Sequence, residues 1–214
     1  MEHQIILDGA SIGATADVPP DPAGAVIFAH GSGSSRFSTR NRFVATQLRN
    51  AGFAALLIDL LSSEEAAVDE RTAQYRFDIS FLARRLIGAT HWFSKEYGAL
   101  PVGYFGASTG AAAALVAAAA LGERVRAVVS RGGRPDLAGE TLARVAAPTL
   151  LIVGEHDPTV VDLNYQAARM MTTFHAIALV PNASHLFEEP GALERVAELA
   201  SAWFVRYVAA AATA

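Results

Sequence analysis

Val102-Gly103-Tyr104-Phe105-Gly106-Ala107-Ser108-Thr109-Gly110-Ala111 is the stretch that decides how this 214-residue chain is read. A short β-prone run ends in Gly-Ala-Ser-Thr-Gly, and an alanine-rich helical run begins at once and reaches Leu121. A strand that turns straight into a helix strains the backbone at the turn, and glycines two residues either side let neighbouring chains approach. The turn lifts the serine oxygen above the sheet, and the helix aims free N–H groups and partial positive charge at whatever binds there. With only three fixed positions, the pattern also arises as an ordinary turn in a chain with 17 glycines. Its position between strand and helix makes it specific, and marks Ser108 as the candidate nucleophile.

Working outward, short apolar runs alternate with helical periodicity. Residues 25–29, 54–61, 102–105, 125–129, 149–153 and 176–180 read as strands buried on both faces. Between them, Phe43, Val44, Gln47, Leu48 and Ala51 recur at helical spacing, as do Phe77, Phe81, Leu82, Leu86 and Trp92. Asp8-Gly9, between the alternating segments 4–7 and 11–16, is a tight-turn pair and predicts an antiparallel N-terminal hairpin. The expected fold is therefore α/β: a mostly parallel twisted sheet with helices on both faces, one domain over residues 1–214, and an alanine-rich tail at 209–214 that frays. In such a sheet ligands bind beyond the carboxyl ends of the strands, so the chemistry should lie just after them.

The loops after the strands supply the remaining parts. His30-Gly31-Ser32-Gly33-Ser34-Ser35 follows its strand with little side-chain bulk, and Ser32 N–H and Thr109 N–H are the expected donors to an oxyanion. His30, directly before the glycines, is expected to shape that loop rather than to act as a base. An acid must come after Ser108 at the end of a later strand, and Asp157 in Gly154-Glu155-His156-Asp157-Pro158 meets the condition, with Glu155 as its rival. Asp157 is equally placed to cap the following helix. His185 in Pro181-Asn182-Ala183-Ser184-His185 follows the last strand and is preferred over His156 and His175 as the base. Gly31-Ser32-Gly33 could open a dinucleotide fingerprint, but Arg36 stands where the third glycine belongs and no Gly-Lys-Ser/Thr triplet occurs; no cofactor or metal is expected.

HGSGSS, GASTG, GEHDP and NASH, in this order and context, make the chain resemble the α/β-hydrolase superfamily over almost its whole length, and dienelactone-hydrolase-like proteins in particular. The resemblance implies that Ser108 attacks an acyl carbon, His185 carries the proton, Asp157 orients the imidazole and water releases the acyl group. It also carries a departure. Dienelactone hydrolases use a cysteine nucleophile, whereas this chain has serine there and no cysteine at all. The expected activity is hydrolysis of a small ester, thioester or lactone; acyl transfer or perhydrolysis on the same residues, or a non-catalytic domain that keeps the fold, stand as alternatives.

Composition narrows the partners. A formal charge of −4 and the absence of a Lys/Arg run offer nothing to a nucleic acid. The longest apolar run, 111–121, is too short for the roughly 20 residues of a membrane span, and the N-terminus has no basic-then-apolar leader pattern, which points to a cytoplasmic monomer or homodimer acting on a small acyl substrate. Residues 62–76, polar and acidic, are expected to form a solvated loop or minimal flap. Arg36, Arg40, Arg131 and Arg134 follow strands, so they either meet at the open rim to pair with an anionic acyl group or pair structurally with Glu64 or Glu65.

Overall fold

The computed structural model describes residues 1–209 and shows one eight-stranded sheet with the order β1-β2-β4-β3-β5-β6-β7-β8. The strands are β1 (Glu2–Leu7), β2 (Ala10–Asp17), β3 (Ala25–Ala29), β4 (Ala54–Ile58), β5 (Val102–Ala107), β6 (Val125–Arg131), β7 (Thr149–Gly154) and β8 (His175–Val180). The helices are α1 (Thr39–Asn50), α2 (Ser63–Thr72), α3 (Ile79–Tyr97), α4 (Thr109–Leu121), α5 (Pro158–Met170) and α6 (Ala192–Tyr207). β1 and β2 form the antiparallel hairpin, turning at Asp8 and Gly9, whose φ values of 49° and 77° are both left-handed. β2 also pairs antiparallel with β4, and the pairings among β3 to β8 are all parallel.

The sheet divides two cores according to the pleat. Ala25, Ile27 and Tyr104 face α3 and α4, while Val26, Phe28 and Phe105 face α1 and α6. Alanines at 111–114, 117 and 118 let α4 lie close against sheet and α3, and all are buried. The order reverses at β3: the chain leaves β3 through α1 on one face, returns as β4, then crosses to β5 and leaves through α4 on the other. The two helices diverge there, which opens a crevice above the ends of β3 and β5.

Three expectations are corrected. Residues 62–76 are not a loop: Ser63–Thr72 is helix α2, begun by a capping box in which Ser62 Oγ accepts from Glu65 N–H and Glu65 Oε2 accepts from Ser62 N–H at 2.8 Å. Ser-x-x-Glu at 62–65 is the signal for such a start, hidden here because no apolar periodicity follows it. β4 stops at Ile58, and Asp59 turns away to hold Arg36. Arg131, expected in a loop, is the last residue of β6 and is buried. The fraying expected of the 209–214 tail falls at 210–214 outside the described residues. No helix among the described residues is long and apolar enough to cross a membrane.

Candidate active site

Ser108 sits between β5 and α4 at φ 50°, ψ −123°, a conformation that costs a non-glycine residue about 1–3 kcal/mol. The surrounding main chain enforces it. A Cβ at Gly106 would strike the backbone of Ala111, and one at Gly110 would strike the carbonyl oxygens of Ala29 and His30. Gly31 is pressed as closely from the other side, since a Cβ there would lie 2.9 Å from Ser108 Cβ. The Ser108 carbonyl accepts from Ala111 N–H at 3.1 Å and Arg134 N–H at 3.0 Å, so both flanks of the turn are tied.

His185 Nδ1 bonds Asp157 Oδ2 at 2.7 Å, a pairing across the ends of β8 and β7. Asp157 Oδ1 accepts from Val160 N–H at 3.4 Å, so the same carboxylate also caps α5; the capping role and the orienting role coincide in one residue. Gly154 makes this possible, because a Cβ there would strike the carbonyl oxygens of Ala183 and Ser184 in the loop that presents His185. Glu155, the rival acid, is turned to Asn182 N–H at 3.1 Å, and His175 bonds the Thr173 carbonyl. His185 and Ser108 meet at one short segment: Ser108 N–H donates to the Arg131 carbonyl at 3.4 Å, and a Cβ at Gly132 would stand 3.6 Å from His185 Cε1. His185 Nε2 makes no hydrogen bond to Ser108 Oγ, and catalytic contacts of this kind commonly tighten only around substrate.

On the other side of Ser108, Ser32 N–H donates to Thr109 Oγ1 at 3.1 Å, and the two hydroxyls lie 3.0 Å apart. Ser32 N–H is therefore directed at the start of α4, beside Thr109 N–H, but is engaged by a side chain rather than free. His30 is buried and holds this loop: Leu60 N–H donates to its Nε2 at 3.0 Å, so Nδ1 carries the proton and donates to the Gly31 carbonyl at 2.8 Å. Burial keeps its pKa below the usual imidazole value, and both contacts fit the neutral ring.

The four arginines do not gather at a rim. Arg36 is bound to Asp59 through both its backbone and its guanidinium, and reaches Glu2 at 3.3 Å. Arg134 makes a two-pronged pair with Asp136 at 2.9 and 2.8 Å, and Arg40 pairs with Glu188 at 3.2 Å. Arg131 is buried with only Asn41 Oδ1, at 3.4 Å, as a side-chain partner; burial and nearby Arg40 push its pKa down to about 10. None pairs with Glu64 or Glu65. Glu65 instead reaches Arg85 at 2.6 Å, a buried residue that also donates to the Leu7 carbonyl and so ties α2 to α3 and the hairpin. Sequence reasoning missed the pairings of Asp59 with Arg36, Glu65 with Arg85 and Asp69 with Arg76, whose partners lie 23, 20 and 7 residues apart along the chain.

Among the described residues no group of three or more His, Asp or Glu stands close enough to hold a metal ion. A cavity of about 380 Å³ opens beside Ser32 and Thr109, between the 30–37 loop, the hairpin and α2. It is the size of a small-molecule site.

Known proteins extend the picture. A dienelactone hydrolase of Anabaena variabilis is 53% identical, each chain covered to 97% or more, with a TM-score of 0.93. Est1E of Butyrivibrio proteoclasticus shares the fold at a TM-score of 0.81 with 14% identity over 96% of this chain and 98% of that one. A Mycobacterium tuberculosis protein, provisionally named as a phosphoribosyl transferase, is 54% identical over 97% of this chain; the chain spans only 46% of that protein's length. The family model for dienelactone hydrolases matches residues 12–214, and with a full-length relative at 53% identity the chain belongs to the dienelactone hydrolase family.

Proposed function

We propose that this hydrolase acts as a serine esterase, cleaving a small ester, thioester or lactone through an acyl-enzyme on Ser108. The observation that carries the reading is the Ser108 turn, held at a strained φ of 50° by glycines that cannot be replaced, beside a histidine whose Nδ1 is fixed on a carboxylate at 2.7 Å. Chains spend strain of this kind where geometry serves chemistry.

In the first half-reaction Ser108 Oγ attacks the acyl carbon while its proton passes to His185 Nε2, leaving Asp157 to stabilise the imidazolium it already orients. The carbonyl oxygen takes up the negative charge between Thr109 N–H and Ser32 N–H; the Thr109 hydroxyl, which accepts from Ser32 N–H, gives way to it. Collapse expels the alcohol or thiol, which leaves with the proton from His185. Water then attacks the acyl-enzyme as His185 removes its proton, and collapse returns that proton to Ser108.

The phosphoribosyl transferase name belongs to proteins about twice as long, and the site does not favour carrying it over: Arg36, Arg76 and Arg134 are each committed to a carboxylate instead of standing free to clamp phosphates. The test is a fluorophosphonate adduct on the intact protein, located by mass spectrometry. One adduct, on Ser108 and absent from Ser108→Ala, is expected; no adduct, or one elsewhere, overturns the reading.

A further inference from the structure

The cavity beside Ser32 and Thr109 has a definite place relative to the reaction. Ser108 directly follows β5, and the strands to one side of it, β7 and β8, lead into the loops that carry Asp157 and His185. The strands to the other side, β3 and β4, end in the loops that line the cavity, and α2 roofs it. If His185 delivers a proton to the departing oxygen, the leaving group lies on its side of Ser108. The acyl group then extends the opposite way, into the cavity.

The cavity's charges are already spent. Arg36 is neutralised by Asp59, and Arg76 by Asp69 at 2.8 Å. Asp69 is held firmly: burial works to raise its pKa, but N–H bonds from Arg76 and Tyr75 and the Arg76 guanidinium prevail and keep it below the usual range. Gly13 leaves room for this pair, since a Cβ there would occupy the space of the Arg36 guanidinium. Among the described residues Glu70 lines the cavity without an ion pair, so the net field on an entering group is negative.

Leu60, Leu61, Ala66 and Leu82 give the cavity an apolar wall, and hydroxyls and an amide remain beside it to meet a ligand. Ser34 and Ser63 have no side-chain partner among the described residues, and Ser11 Oγ occupies Gln4 Oε1 at 3.0 Å, which leaves the Gln4 amide N–H₂ as a donor. An unsubstituted alkyl chain would cover that wall but strip water from these groups without replacing their hydrogen bonds, and a carboxylate would meet Glu70 with no free cation among the described lining residues to offset it.

On the esterase reading given above, we propose that this cavity is the acyl-group site and that it selects uncharged acyl groups bearing hydroxyl or amide substituents, rejecting carboxylates. Three 4-nitrophenyl esters of matched length test it: the glutaric monoamide, the pentanoate and the glutaric hemiester. The expected order of kcat/KM is amide, then pentanoate, then the anionic hemiester, with at least tenfold between the first and the last. Glu70→Lys is expected to raise the hemiester-to-amide ratio several-fold, and Ser34→Ala/Ser63→Ala to lower the amide-to-pentanoate ratio. A hemiester turned over as well as the amide, or an amide refused while a fluorophosphonate still labels Ser108, overturns the cavity assignment alone. Loss of both labelling and turnover overturns the esterase reading itself, so the two failures are distinct.

Discussion

The two halves of the sheet's carboxyl edge are built from different materials. On the β5–β8 side the chemistry is positioned by main chain against main chain: Gly106 on Ala111, Gly110 on the carbonyls of Ala29 and His30, Gly154 on the carbonyls of Ala183 and Ser184. On the β1–β4 side the cavity is assembled from charged side chains, with Glu65 on Arg85, Asp59 on Arg36 and Asp69 on Arg76. Backbone contacts admit almost no substitution, because nothing in them can rotate away. Ion pairs can be re-drawn one partner at a time. The contrast places the rigid geometry at Ser108 and the adjustable side chains at the cavity.

The largest effect should come from the first half. Ser108→Ala is expected to lower kcat by about 10⁴–10⁶-fold, with Asp157→Asn somewhat less severe. Stability should move the other way at the same position. Ser108→Gly relieves a left-handed φ of 50° and should gain about 1 kcal/mol by denaturant titration. An inactive glycine variant that is less stable than the parent would mean that the turn carries no strain.

One substitution placed in both halves then separates their construction. Gly110→Ala sets a Cβ against two backbone carbonyls and should cost about 4 kcal/mol or prevent folding. Gly13→Ala meets the far end of Arg36 and the Asp59 carboxylate, side chains that can swing aside, and should cost about 1–2 kcal/mol. Equal losses in thermal or urea unfolding would erase the distinction drawn above.

The same difference governs what was legible in the sequence. Ser108, Asp157 and His185 each follow a strand at a position that strand order alone dictates, and the glycines beside them are marks of close approach. The hairpin turn at Asp8-Gly9 was visible for a similar reason, since only a few residue pairs supply two positive φ values. Helix α2 was not visible, because it buries almost nothing apolar: Asp69 is its one buried residue, and its anchor Glu65 finds Arg85 20 residues on. Hydrophobic periodicity cannot report a helix held by carboxylates. The arginines misled for a related reason, as composition places a charge in a loop without revealing that Asp59 or Asp136 has already taken it.

The anchoring of α2 offers the next smaller effect. Glu65→Gln keeps an acceptor oxygen but removes the charge that compensates Arg85, only 1% exposed, leaving its carboxylate partner as Asp8 at 4.0 Å, and should cost about 3 kcal/mol. Ser62→Ala removes one cap acceptor and should cost about 1 kcal/mol. Both should change selectivity among acyl groups more than they change the rate of Ser108 labelling by a small fluorophosphonate. Labelling that collapses in Glu65→Gln at a temperature where the fold is intact would show that the cavity and the nucleophile are not separable.

The smallest effect lies at the seam between the halves. His30 directly follows β3, accepts from Leu60 N–H on one ring nitrogen and donates to the Gly31 carbonyl with the other, so it joins the 30–35 loop to the residues that follow β4. Burial depresses its folded-state pKa below the value of 6.5 expected in the unfolded chain. As pH falls through about 6.5 the unfolded chain binds a proton that the folded chain refuses, and stability is lost, by at most about 1.4 kcal/mol per pH unit until the folded pKa is reached. The carboxylates with depressed pKa values, Asp69 among them, withdraw their contribution only at lower pH, below the ordinary carboxylate range. His30→Gln can accept from Leu60 without titrating, so it should be less stable at pH 7 yet show a flatter dependence between pH 7 and 5.5. Parallel slopes for variant and parent would assign the acid sensitivity to other groups, and with it remove the reason to treat His30 as the neutral pin that lets one half of the site hold the other in register.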